Sequence, residues 1–175
     1  TAAESAVRGA RSSSALDGGG VDVGAAPADP VLAGALRVGQ ALEGGTSPII
    51  GNWQRAPLQV LARLHALAAA DLVVEADLGR PVQRPEVAAR LDLMTRLVTG
   101  ASAVPAPVLA GVAHGELLAL SAFGSTDGVV ARGISRLVTI ASGLDPHGLG
   151  VPEVYWLRRA EEYREAAAGF ATGDA

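Results

Sequence analysis

Apolar residues recur along the chain at spacings of three and four, and Gly and Pro fall between the periodic runs. That pattern predicts a succession of amphipathic helices and no strands. The first helical run covers Ala2 to Leu16 and stops at Asp17-Gly-Gly-Gly20. A second opens at Asp29-Pro30, with Asp29 as N-cap and Pro30 at the first helical position, and runs to about Leu42, where Gly44-Gly45 close it. Ser47 to Trp53 reads as a loop with an apolar anchor. Pro57 to Val74 is the longest clean helix, its stripe including Leu58, Leu61, Leu64 and Leu67. Gly79-Arg-Pro81 breaks the pattern, and Arg84-Pro85 starts a helix to about Val98. Residues 100–104 lead through Pro105 and Pro107 into a helix carrying His114. Its small residues Gly111, Gly115 and Ala119 recur every four positions and let a neighbouring helix approach, which marks it as the central helix. Val129 to Ser142, capped by Gly143, a loop at residues 144–150 and a last helix from about Pro152 to Phe170 complete the pattern.

The expectation is therefore an all-α fold of about seven helices in one domain. Residues 1–18 form a leading segment, 19–28 a linker and 29–175 the core. The composition strengthens this reading. With 175 residues, 49% of them hydrophobic, the chain can bury one real core. Two Phe, two Tyr and two Trp beside abundant Ala and Leu point to helices packed through small side chains.

Charge narrows the partners. The formal charge is −4 and the arginines are spread along the chain, so no basic stripe calls for nucleic acid. There is no lysine, a bias read mainly as codon usage and secondarily as a preference for bidentate anion contacts, with most of these arginines expected in solvent. Without cysteine there is neither a disulfide framework nor a thiolate metal site. The longest apolar runs are broken by His65, His114, Glu116 or arginine before they could span a bilayer, and no signal peptide is visible. The expected location is the cytoplasm, with a protein partner of unknown identity, an oligomer as an option, and no membrane or nucleic acid. The helical pattern is already under way at Thr1 and the chain closes on Gly173-Asp-Ala175, as expected of trimmed ends.

The stretch from His114 to Arg132 carries the candidate chemistry. It reads as helix, short turn, helix, and the turn Gly124-Ser-Thr-Asp-Gly128 would aim the free N–H groups of the second helix into whatever it encloses, a natural anion site. Each residue has a plainer role as well. Thr126 and Asp127 are good N-cap residues, and capping is worth about 0.5–2 kcal/mol without any ligand. Gly128 permits a tight turn. His114 reads as a packed histidine bonded to a neighbouring backbone group. Arg132 and Arg136 lie four apart on one face, either an anion-binding pair or two solvated arginines. His65 and His147 pair with no carboxylate at ligand spacing, so no metal site is expected.

The segment Phe123 to Arg132 resembles the signature of Fic-domain proteins, His-x-Phe-x-(Asp/Glu)-Gly-Asn-Gly-Arg-x-x-Arg, a helical family known for moving AMP from ATP onto protein hydroxyls. Phe123, Gly128 and Arg132 match. Ser121 stands at the histidine, Ser125 at the acidic position, Thr126 at the first glycine, Asp127 at the asparagine and Val129 at the first arginine. The apolar helix leading in, and the Tyr-containing helix Tyr155 to Tyr163 following, are similar to the family's arrangement. Ser13-Ser-Ala-Leu-Asp-Gly18 resembles its inhibitory-helix motif, (Ser/Thr)-x-x-x-Glu-(Gly/Asn), with Asp17 for glutamate.

The resemblance implies ATP and Mg²⁺ as ligands, Ser125, Thr126, Asp127, Gly128 and Arg132 as the nucleotide or phosphate site, and Ser13, Asp17 and Arg132 as a regulatory contact. It also implies a loss of chemistry. Ser121 is no general base near neutral pH, and losing a positioned base removes roughly 10²–10⁴ in rate. No catalytic residue is assigned. The expected function is a degenerate Fic-like binding or regulatory module. The alternatives are an active transferase moving AMP to protein hydroxyls, and an α-helical interaction protein whose motif match is accidental.

Overall fold

The computed structural model describes residues 1–26, 28–43, 47–100 and 103–173. Among them it is all-helical: α1 (Ala2–Leu16), α2 (Pro30–Ala41), α3 (Pro48–Trp53), α4 (Pro57–Ala69), α5 (Pro85–Thr99), α6 (Ala106–Leu120), α7 (Asp127–Ala141), α8 (Pro152–Arg158) and α9 (Ala160–Thr172). Local chemistry explains most starts. Thr1 and Glu4 form a reciprocal capping box on α1, and the Asp29 carboxylate accepts from the Leu32 N–H at the head of α2. Proline occupies the first turn of α2, α3, α4, α5, α6 and α8, where its missing N–H costs nothing. The expected Gly44-Gly45 stop lies outside the described residues.

Three elements depart from the sequence pattern. Residues 47–53 are a helix, not a loop: Ser47 accepts from the Ile49 N–H, Pro48 sets the first turn, and Trp53 is buried as the anchor. α4 ends at Ala69, five residues early. Arg37 on α2 takes the Leu67 carbonyl with Nε at 2.8 Å and pairs with Asp71 at 2.8 Å, so the chain turns there and makes a 3₁₀ turn at Glu75–Asp77. The last helix is broken at Arg159 into α8 and α9, with no Gly or Pro to announce it.

The centre of the molecule is α7, not α6. Every residue from Val129 to Val138, and Ile140, is buried, and the helix packs against α1, α2, α3, α4 and α6. Its polar residues Arg132, Ser135 and Arg136 disguise this in the sequence, because they are buried as well. On α6 the small-residue stripe is used once: a Cβ on Gly115 would stand 2.6 Å from the Phe170 ring of α9, whereas Gly111 faces open space. α2 and α4 approach so closely that a Cβ on Gly34 would overlap the Ala68 carbonyl. Residues 19–21 lie against the body, with Gly19 beside Ser14 and Asp29 and the Val21 carbonyl accepting from Arg11 Nε at 2.8 Å.

Candidate functional site

The α6–α7 turn is built on left-handed backbone. Ser121 (φ 44°) ends α6, Gly124 (φ 71°) follows, and Thr126 (φ 53°) precedes α7. Ser and Thr adopt this region rarely, so the surroundings must hold the turn in place. One such tie is the Asp127 carboxylate, which accepts from the Phe123 N–H at 2.9 Å and is also held by the Gly124 N–H. Burial pushes this carboxyl above its ordinary range, and those two N–H groups pull the other way. The expected side-chain capping is absent: Asp127 closes the turn instead, and Thr126, being left-handed, leaves its hydroxyl buried without a partner.

Above the turn, α1 and α7 meet at Arg132. Its guanidinium is 2% exposed and lies 2.7 Å from the Asp17 carboxylate. Nε donates to Ser13 Oγ at 2.7 Å, Nη2 to the Ser13 carbonyl at 3.0 Å, and Nη1 to Tyr163 Oη at 3.2 Å. Asp17 is one methylene shorter than glutamate, yet it reaches. Its carboxylate also sits on the first turn of α7, since a Cβ on Gly128 would stand 2.5 Å from Oδ1 and 2.6 Å from Oδ2. A helix N-terminus and a guanidinium together make an anion position, and the chain's own carboxylate fills it. The structure thus brings Ser13, Asp17, Gly128 and Arg132 together, while Ser125 lies on the turn's far side, toward His65.

Behind Arg132 stands an aromatic cluster. His114 is bonded to a side chain and not to backbone: its Nε2 is 2.8 Å from Tyr163 Oη. Burial first, and the Arg132 charge second, push His114 down to about 4, so its ring is neutral at physiological pH and shares one hydrogen bond with the phenol. Trp156 packs on both rings, 4.7 Å from His114 and 5.5 Å from Tyr163 between centroids. Tyr163 therefore links His114 to Arg132.

Arg136, one turn on, is buried too, which removes the alternative of two solvated arginines. It donates to the carbonyls of Gly148 and Gly150 and so pins the 144–150 loop. Beside it Glu153, which no motif or spacing in the sequence marks, is 4% exposed. Burial pushes its carboxyl up, opposed by its own N–H and the charges of Arg136 and Arg132.

The turn's opposite flank is lined differently. Val82 N–H donates to the Ala122 carbonyl at 2.8 Å, and Arg84 donates to the carbonyls of Leu120 and Ser121, capping the end of α6. Phe123 stacks on His65, with centroids 4.3 Å apart and planes within 8°, and His65 Nδ1 accepts from the Gly79 N–H at 2.9 Å. Between α4, α5 and residues 79–85 is a cavity of about 540 Å³.

The donors for a divalent cation do not fit. Ser125 offers no carboxylate, Asp127 is engaged with backbone N–H groups, and among the described residues no group of three or more His, Asp or Glu side chains could hold a metal ion. No helix among them is long and apolar enough to cross a membrane. Comparison of the chain with protein-family models, with curated proteins and with solved structures finds no match.

Proposed function

We propose that this chain is a catalytically degenerate Fic-like domain that serves as a binding or regulatory module for a protein partner. Of the residues the resemblance marks for phosphate, Gly128 and Arg132 form the anion position, which is held by the chain's own Asp17, while Asp127 closes the turn and Ser125 and Thr126 take no part. The observation that carries the reading is the contact of Arg132 with Asp17 and Ser13, because the resemblance named this pairing across more than a hundred residues of chain. The chemistry argues against transfer of AMP. Ser121 stands where the base is needed, the cation donors are missing, and the nearby His114 is buried and committed to Tyr163. Positioning and charge neutralisation supply nearly all catalysis of phosphoryl-type transfer. What survives is weak binding of a phosphate group, in competition with a tethered carboxylate.

That competition sets the test. Thermal-shift titrations with ATP, with and without Mg²⁺, compare the intact chain with Asp17→Asn and Arg132→Met, since a ligand that binds the folded state raises its stability by mass action. The expected result is a small shift for the intact chain, a larger one for Asp17→Asn and none for Arg132→Met. Equal shifts in all three proteins, or none in Asp17→Asn, would overturn the anion site. Labelled ATP is expected to leave no label on the protein; transfer would instead favour the active enzyme.

A further inference from the structure

The cavity on the turn's opposite flank takes no part in the proposed function. At about 540 Å³ it falls in the range that holds a small molecule. Leu61, Val87, Leu91 and Phe123 line it and are buried, so its floor is hydrocarbon. Around the mouth lie Leu58, half exposed, and the segment 81–85. Among the described lining residues one is charged, Arg84. That guanidinium spends Nη2 on the carbonyls of α6, while Nη1 is only loosely paired, 3.6 Å from Glu86 in the first turn of α5.

These features select the occupant. An extended peptide would need free backbone groups along the rim, but the Val82 N–H is committed to Ala122 and the Arg84 N–H to the Val82 carbonyl at 2.9 Å. A deep apolar floor with one cation at the mouth fits a molecule with an apolar body and a single anionic head. We infer that this cavity binds a small amphiphile with an alkyl body and a carboxylate or phosphate head, the body on the Leu61, Leu91 and Phe123 floor and the head at Arg84 in place of Glu86. The site stands apart from the anion position at Arg132 and does not depend on it. Occupancy reaches the turn through Phe123, whose ring stacks on His65.

The test uses calorimetry on the full chain with three ten-carbon probes below their micellar concentrations: decanoate, decanol and decyltrimethylammonium. The expected result is saturable one-to-one binding of decanoate, about tenfold weaker binding of decanol, and about tenfold weaker decanoate binding to Arg84→Gln, the size of one lost charge-assisted hydrogen bond. Ala88→Trp or Leu58→Trp, each filling the cavity from an exposed position, should abolish it, with cooperative thermal unfolding showing that the variant is folded. Decanoate should shift the His65 imidazole NMR signals in the intact chain and not in the filled variants. Three outcomes overturn the assignment: no saturation with decanoate, equal binding of the cationic probe, or binding that survives both tryptophans. Binding of an apolar peptide without decanoate would overturn it too, and give the cavity to a partner protein.

Discussion

One turn, residues 121–126, has two flanks of opposite character. Toward α1 everything is polar and closed: the anion position at the head of α7 is filled by Asp17, and Arg132 has carboxylate, hydroxyl, carbonyl and phenol oxygens around it. Toward α5 the lining is apolar and open, with a cavity of about 540 Å³ under Phe123. The residues that look like chemistry in the sequence are those whose demands the fold already meets internally. The vacancy is lined by only one residue of the motif, the apolar Phe123, so an external anion must displace part of the protein while an apolar ligand need not.

The largest test of this contrast is Arg132→Ala. Removing one partner from a fully buried ion pair costs about 3–5 kcal/mol; Asp17 keeps 25% of its side chain in solvent, so the pair's share falls below that range, and with the donors lost to Ser13 and Tyr163 the total is about 3 kcal/mol. Chemical denaturation should show a loss of that size, and amide exchange should accelerate in α1 before α4. A loss below about 1 kcal/mol would mean that α1 is docked by its apolar face alone.

Next in size is a pH effect on the closed flank. His114 has a folded pKa of about 4 against an ordinary value near 6.5. Above pH 6.5 it is neutral in both states and its contribution to stability is complete. As pH falls the unfolded chain takes up the proton first, so stability drops from about 6.5 and levels off below about 4, a total of about 3 kcal/mol. Asp127 and Glu153 work with the opposite sign, because their raised folded pKa values favour protonation of the native state on acidification. The difference between the intact chain and His114→Gln isolates the histidine. If the two stability curves run parallel from pH 7 to pH 4, His114 is not held neutral by its surroundings.

How much of this was legible in the sequence follows the same divide. The helical class and most helix starts were, because proline positions and cap residues act within a few neighbours of themselves. The pairing of Ser13 and Asp17 with Arg132 was reached through the resemblance, and no periodicity would have given it. The central place of α7 was hidden because Arg132 and Arg136 look like solvent residues until their partners are seen. Trp53 makes a helix of an expected loop, and the break at Arg159 has no local mark; both are tertiary effects. Thr126 shows the limit of residue preference: a good cap residue placed in left-handed backbone does not cap. The cavity is assembled from two helices and a connecting segment, and leaves no trace in spacing.

The smallest expected effect is the most discriminating, because its sign should reverse. Gly128 lies in the first turn of α7 with ordinary negative φ, so an alanine there gains helix propensity and reduces the freedom of the unfolded chain, worth about 0.4–1 kcal/mol. Against this, the new Cβ would stand 2.5 Å from Asp17 Oδ1 and 2.9 Å from Arg132 Nη2. The carboxylate has to leave the helix head, losing an interaction typically worth about 0.3–1 kcal/mol and weakening the ion pair. Gly128→Ala should therefore destabilise the intact chain by about 1 kcal/mol but stabilise an Asp17→Ala chain, where the carboxylate is gone and only the end of the Arg132 side chain has to shift. A double-mutant cycle by denaturant unfolding reads both arms. Destabilisation of the same size in both backgrounds would mean that glycine is needed for the turn itself, and that the carboxylate at the head of α7 is a bystander.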